Sequence, residues 1–437
     1  MKKENKNRMM MLFAFVLAML CIASCDDAQN YAITDNQAYI LGGFSEKFSS
    51  MYAEGVNQVP ITVPVMMTRK DDTRDVKVKL EISEAALDAF NKRYNKDYVM
   101  YPECELLSDE VTINKGVVGA GAILMVTPIT KELDETGDTY AVPVTITSAD
   151  GIGIMKGSET FIYLIRRIPR ASVFTFNQVA TSQLHTRKIF FPLDMAKLNN
   201  QLEFTAYTME FLLKFTNWSN GNNYDLINPT MGPEVGEIYT RLEGGSAGLA
   251  AGVFNVKFNG DGESIAGQPP GGTQLNRWYH VAFVFGNGKL QVYVNAMLTS
   301  QMDVTLPSLN FTPAVLAATE PVGFLLGAAA ANSGYSSRVR ARTQAAEVRL
   351  WSVARTADQI RENMYNVRPD SEGLMGYWKL NDGSGRYVKD YTGKNPDGYL
   401  IRVNYSGTNN NTSFSTLDDS YNQDYAWDNT DQVLLVN

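Results

Sequence analysis

The residue types in this sequence that could hold or cleave a ligand are carboxylates, amides, imidazoles and aromatic rings. Retaining glycoside hydrolysis needs two carboxyl groups about 5 Å apart across one cleft. Residues at alternate strand positions share a face, so such a pair would appear as an acid–x–acid run. Glu132-Leu133-Asp134 begins one, but no following glutamate completes it. The two histidines, His185 and His280, lie in different local contexts, and no Cys/His cluster has zinc-ligand spacing. His280 stands beside Trp278 in an apolar run and reads as a structural residue. Nucleophile-elbow and phosphate-loop patterns are absent. Catalysis has no visible carrier, which leaves non-covalent binding as the expected role.

Sugar recognition combines an aromatic plate for the apolar face of a pyranose with amides and carboxylates for its hydroxyls. Thr216-Asn217-Trp218-Ser219-Asn220-Gly221-Asn222-Asn223-Tyr224-Asp225 is such a mixture, following a strand-like run. Trp218, Asn220, Asn222, Asn223 and Tyr224 are therefore expected glycan contacts; the plainer alternative folds Trp218 onto the domain rim. Trp427, in a polar tail with Tyr421 and Tyr425, is a second aromatic candidate. Ser337-Arg338-Val339-Arg340-Ala341-Arg342 places Arg338, Arg340 and Arg342 on one strand face. That row could hold uronate or sulfate groups by bidentate pairing. A solvated edge that discourages aggregation is the competing account.

These residues need elements to position them. The chain has 437 residues, 44% hydrophobic and 11% aromatic, a composition that forms packed cores and suits more than one domain. From Tyr39 to about Ile168, alternating apolar runs recur at 61–65, 76–80, 123–126, 142–146 and 161–165, predicting a β-sandwich. One helix interrupts them, over Glu84 to Tyr94, with Leu87, Phe90 and Tyr94 at helical spacing. Ile165–Arg170 reads as a linker. Beyond it, Glu347-Val348-Arg349-Leu350-Trp351 reads as a strand covered on both faces. Thr356, three residues before Gln359, has the capping-box spacing, and Ile360 and Met364 would form the apolar stripe of the helix that follows. This stretch is a core device laid on a sandwich.

At the N-terminus Lys2, Lys3, Lys6 and Arg8 precede a 15-residue apolar run, Met9 to Ala23. The pattern predicts a secretory leader over residues 1–25 and is too short to span a bilayer comfortably. Ile22-Ala23-Ser24-Cys25 resembles a bacterial lipobox, which implies lipidation at Cys25 and an anchor in outer-membrane lipid at the cell surface. Loss of the leader changes the net charge from −8 to −11, which argues against nucleic acid as a partner. Cys104 would then be the one cysteine left, so no disulfide can form within the mature chain.

Two family resemblances follow. Ala89-Phe90-Asn91-Lys92-Arg93-Tyr94-Asn95-Lys96-Asp97-Tyr98, Tyr101-Pro102-Glu103, Val111 to Gly116 and Val142 to Ile146 resemble a recurring N-terminal domain of Bacteroidetes surface lipoproteins, with no assigned chemistry. It would cover residues 26–168 as an Ig-like β-sandwich. Met209 to Phe215, Arg277 to Val284, Leu290 to Asn295, the Glu347–Ile360 segment and Leu374 to Gly385 resemble successive motifs of the laminin-G/concanavalin-like jelly roll, covering 171–437. The resemblance implies an all-β protein that captures oligo- or polysaccharide for a utilisation system, with components of a starch-utilisation-like transporter among its partners. A glycoside hydrolase, or an adhesin for protein or host matrix, is the alternative. No cofactor is expected, calcium being the one that the resemblance leaves open.

Overall fold

The computed structural model describes residues 35–43, 48–52, 57–176, 187–194, 196–197, 203–217, 224–229, 239–244, 251–258, 263–305, 308–310, 322–327, 329–331, 334–336, 342–403, 414–416 and 427–434. Two compact units form: residues 1–129 with 139–166, and residues 130–138 with 167–437. The expected domain limits at 168 and 171 shift accordingly. Ile165 and Arg166 belong to the strand Thr160–Arg166, with Ile165 paired to Tyr140 and buried. Arg170 already opens the strand Arg170–Phe176. Segment 130–138 groups with the second unit, where Asp138 lies 3.5 Å from Arg368.

The first unit is a two-sheet sandwich. Its five-stranded sheet runs in the order Gly153–Ile154, Gln37–Ile40, Val59–Met67, Gly119–Val126, Cys104–Leu106. Its second sheet runs Phe48–Tyr52, Thr160–Arg166, Tyr140–Ala149, Val76–Ile82, Glu110–Ile113, with Val99–Met100 added to Tyr140–Ala149. Alternation sets the inner faces: Ile61, Val63, Val65 and Met67 are buried on one strand, Val76, Val78 and Leu80 on another. The expected helix is present as Glu84–Tyr94; it buries Leu87 and ends at Asn95 in the left-handed region (φ 50°).

The second unit is a β-sandwich built on an eight-stranded antiparallel sheet. Its order is Met297–Asp303, Lys289–Val294, Trp278–Gly286, Tyr207–Asn217, Arg342–Trp351, Arg170–Phe176, Trp427–Val433, with Leu374–Trp378 also paired to Arg342–Trp351. Facing it are a six-stranded sheet through Ile227–Pro229, Gly323–Leu326, Arg187–Pro192 and Gly398–Val403, and a four-stranded one through Tyr239–Gly244 and Ala251–Phe258. Met209, Phe211, Leu213 and Phe215 point into the large core between the sheets, together with Val348, Leu350 and Trp378. Those residues form strands because branched and aromatic side chains pack well on a pleated surface.

On the opposite face of the large sheet lies the short helix Ala357–Glu362. The capping box forms in full: Gln359 N donates to Thr356 Oγ1 (3.2 Å) and Thr356 N to Gln359 Oε1 (2.9 Å). Ile360 and Met364 pack on Ala282, Val284 and Tyr293. Trp351 is buried with Val367, Leu374 and Tyr377. The sheet is therefore covered on both sides here, as its apolar strands require.

Candidate functional site

Two tight turns at one edge of the large sheet create a cleft of about 180 Å³, lined by Pro269, Pro270, Gly272, Gln274, Arg277, Trp278, Tyr279, Asn295 and Met297. The first turn follows from Pro269-Pro270-Gly271-Gly272. Gly271 has φ 80°, and Gly272 N donates to Pro269 O at 2.9 Å. Proline at the second position and a left-handed glycine at the third are what a type II turn demands. The second turn joins Lys289–Val294 to Met297–Asp303 through Asn295 (φ 54°) and Ala296 (φ 59°). Two successive left-handed residues match the twist of a hairpin. Asn295 Oδ1 accepts the His280 N–H at 3.1 Å, and Asn295 N donates to His280 O at 2.8 Å.

The loop walls are fixed from the core side. Tyr279 OH accepts the Gln274 N–H at 2.8 Å, and Thr273 Oγ1 donates to Gly252 O at 2.6 Å. Pro269, Pro270, Met297 and Trp278 are the apolar members of the lining; Gln274, Arg277 and Asn295 are polar ones. Gln274 and Arg277 are exposed, and Arg277 has no ion pair among the described residues. Trp278 itself is 5% exposed and packs with Val173, Leu212, Ala346 and Leu434, with Lys214 Nζ 5.1 Å from its ring centroid. Of five exposed large apolar side chains described in this unit, Leu275, Met297 and Leu298 stand at or next to the lining, apart from Val353 and Tyr387.

A second polar assembly is closed to solvent. Glu210, on the face of its strand opposite the main core, lies 3.4 Å from His280 Nε2, 3.3 Å from Arg349 Nη1 and 3.3 Å from Arg355 Nη1. Glu347 pairs with Arg349 and accepts the Tyr377 hydroxyl at 2.7 Å. Glu347 reaches this place through a β-bulge: its φ is 57°, and the pairing steps from Glu210–Arg349 to Leu212–Ala346. Burial pushes the Glu210 carboxyl up, but Arg355, His280 and Arg349 outweigh it and hold the group at about 2. Burial draws the His280 imidazole below its ordinary value against the opposing pull of Glu210. Glu210, His280 and Arg349 are wholly buried, so the cluster acts as a fastening between sheet and helix segment and not as a binding surface.

The expected contacts are not brought together in one place. Trp218, Asn220, Asn222, Asn223, Arg338 and Arg340 lie outside the described residues, as does Cys25. Tyr224 belongs to the strand Tyr224–Asp225 and Arg342 to Arg342–Trp351, which are in different sheets. Trp427 requires a correction. It opens the strand Trp427–Val433, is 6% exposed, stacks edge-on to Phe174 at 5.4 Å and donates from Nε1 to Gly385 O at 3.1 Å. The ring belongs to the main core between the sheets and is no plate for a sugar. Cys104 is a half-buried free thiol pushed up to about 11 by burial. The cleft was missed in the sequence, although Pro-Pro-Gly-Gly before Arg277-Trp278 signals its first turn.

Residues 34–153 match the model of an N-terminal domain family. Residues 194–361 match that of the concanavalin A-like lectin/glucanases superfamily, in its laminin G form. The second unit thus carries a concanavalin A-like domain, and the chain is all-β with an N-terminal sandwich ahead of it. Among solved structures, the chain is similar to a candidate carbohydrate-binding protein from Bacteroides ovatus, at 21% identity over 87% of this chain and 98% of that one, with a TM-score of 0.49. It is also similar to the SAP-like pentraxin of Limulus polyphemus, at 13% identity over 54% and 96% with a TM-score of 0.36. A protein of unknown function from Bacteroides ovatus aligns at 11% identity over 72% and 92%, with a TM-score of 0.27. No curated protein matches.

Proposed function

We propose that this protein is a carbohydrate-binding protein whose concanavalin A-like domain takes a sugar ring in the cleft beside Trp278. The observation that carries this reading is the mixed lining. Pro270 and Met297 offer apolar surface to a ring, while Gln274, Arg277 and Asn295 offer polar groups to its hydroxyls. The volume of about 180 Å³ suits one ring, below the about 300–1,000 Å³ of sites for drug-sized ligands. The superfamily name covers lectins and glucanases, and among the described residues no carboxylate lines the cleft, which favours capture over hydrolysis. Trp218, Asn220, Asn222, Asn223 and Tyr224, with Arg338, Arg340 and Arg342, form a second proposed set of glycan contacts.

The protein is further proposed to sit on the outer membrane through acyl chains on Cys25, handing captured oligo- or polysaccharide to transporter components of a utilisation system. Two or more chains on one cysteine exceed what stable anchoring requires. Cys25→Ala is expected to leave the protein unprocessed or released on membrane fractionation; a variant anchored like the natural protein contradicts the lipid anchor. A glycan array tests the binding role. Gln274→Ala and Met297→Ala, both at exposed positions, are expected to lower the signal on array-positive glycans at least tenfold. Unchanged signals in both variants would remove the cleft from the site.

A further inference from the structure

The lining of the cleft is unequal in hydrogen-bonding character, and this bears on the class of sugar. We infer that the cleft selects an anionic sugar, one bearing a carboxylate or a sulfate ester, with Arg277 as its anchor. The inference rests on the carbohydrate reading above and deepens it. Among the described residues of the lining Arg277 is the one that carries charge, and its guanidinium presents donors only. It stands exposed in the turn before Trp278, without an ion pair among the described residues. Asn295 adds to the same side. Its Oδ1 is taken up by the backbone N–H of His280 at 3.1 Å, so the amide has its NH2 donor end left to offer a ligand.

Among the other polar side chains, the Trp278 Nε1 is buried away from solvent, and Tyr279 OH already accepts from Gln274 N. Among the described residues of the lining, Gln274 alone offers a free side-chain carbonyl, and no carboxylate is present to receive a neutral sugar's hydroxyls. Lys214 does not compete for an incoming anion. Its ammonium lies over the Trp278 ring and is bonded to Gln432, with the Asp428 charge near it. A donor-rich cleft with one free guanidinium is complementary to a planar carboxylate or a sulfate, which arginine binds by paired hydrogen bonds. Such a site stands out in a chain of net charge −8.

Isothermal titration of the purified protein against matched pairs of oligosaccharides tests this. One pair is an oligogalacturonate and its carboxyl-reduced counterpart; the other is a sulfated galactan fragment and its desulfated form. At least one acidic member is expected to bind ten times more tightly than its neutral partner or better, with affinity falling as salt rises. The pair that responds tells carboxylate from sulfate. Arg277→Gln is expected to abolish that preference while circular dichroism and melting stay unchanged, and Arg277→Lys to restore it only in part. Equal binding of acidic and neutral members, or a preference kept by Arg277→Gln, would overturn the inference and leave the carbohydrate reading standing. No binding of any member, together with a blank glycan array, would overturn both.

Discussion

At the scale of single residues, the tryptophans separate by what surrounds them. Trp351 and Trp427 are enclosed by other side chains, so Trp351→Ala and Trp427→Ala should each cost about 3–5 kcal/mol of stability in denaturant unfolding. Neither should change glycan affinity in the surviving folded protein, and a loss of affinity without a loss of stability would return Trp427 to the site. The buried set around Glu210 predicts a pH dependence. Both His280 and Glu210 bind protons less readily in the folded chain than at their ordinary values of 6.5 and 4.5. Their contribution is thus complete above those values and is lost as pH falls, first below about 6.5 and again from 4.5 toward 2. Melting temperatures recorded from pH 8 to pH 3 should fall in that order, and a flat profile between pH 7.5 and 5.5 would refute the His280 part. This cluster was only half legible in the sequence. Arg349 visibly breaks an apolar run, but alternation reports which face a residue takes and not whether that face is covered. Glu210 in Met209-Glu210-Phe211-Leu212 looks the same whether its face meets water or a helix segment.

At the scale of elements, local rules were readable and their meetings were not. The capping box at Thr356 and Gln359 depends on residues three apart, and the helix starts where the spacing puts it. Thr356→Ala should therefore cost about 1 kcal/mol, measured by chemical denaturation, because an N-terminal amide of the helix loses its acceptor. The helix Glu84–Tyr94 and the runs centred near 63, 78 and 144 are likewise strands and helix where periodicity expects them. The cleft differs. Its first turn follows from Pro269 to Gly272 and its second from Asn295 and Ala296, yet more than twenty residues separate them along the chain. They meet because Trp278–Gly286 and Lys289–Val294 pair in register, with Val281 opposite Val294. That juxtaposition is a property of the sheet. The linker was overread for a related reason: Ile165-Arg166 looked like the end of a unit, but cross-strand pairing with Tyr140 keeps the strand going.

At the scale of the whole molecule, two separately cored units share one chain, and the second reaches back for residues 130–138. Residues 167–437 expressed alone are expected to unfold in one cooperative transition, below the temperature of the same unit in the full chain. The fragment lacks the Asp138 partner of Arg368 and the Asp134 carbonyl that accepts from Asn366. A molten or aggregated fragment in scanning calorimetry would contradict independent coring. The sequence placed the jelly roll through motifs that are core devices, which explains why fold was more legible than site: packing leaves periodic marks, whereas a ligand cleft assembles from turns with no common period. The central claim is that a sugar ring occupies the cleft between the Pro269–Gly272 turn and the Asn295–Ala296 turn. A crystal structure of the protein with a glycan chosen from the array tests it most directly. The account predicts a ring packed on Pro270 and Met297, with its polar groups on Gln274, Arg277 and Asn295; a ring bound elsewhere, with this cleft empty, would contradict it.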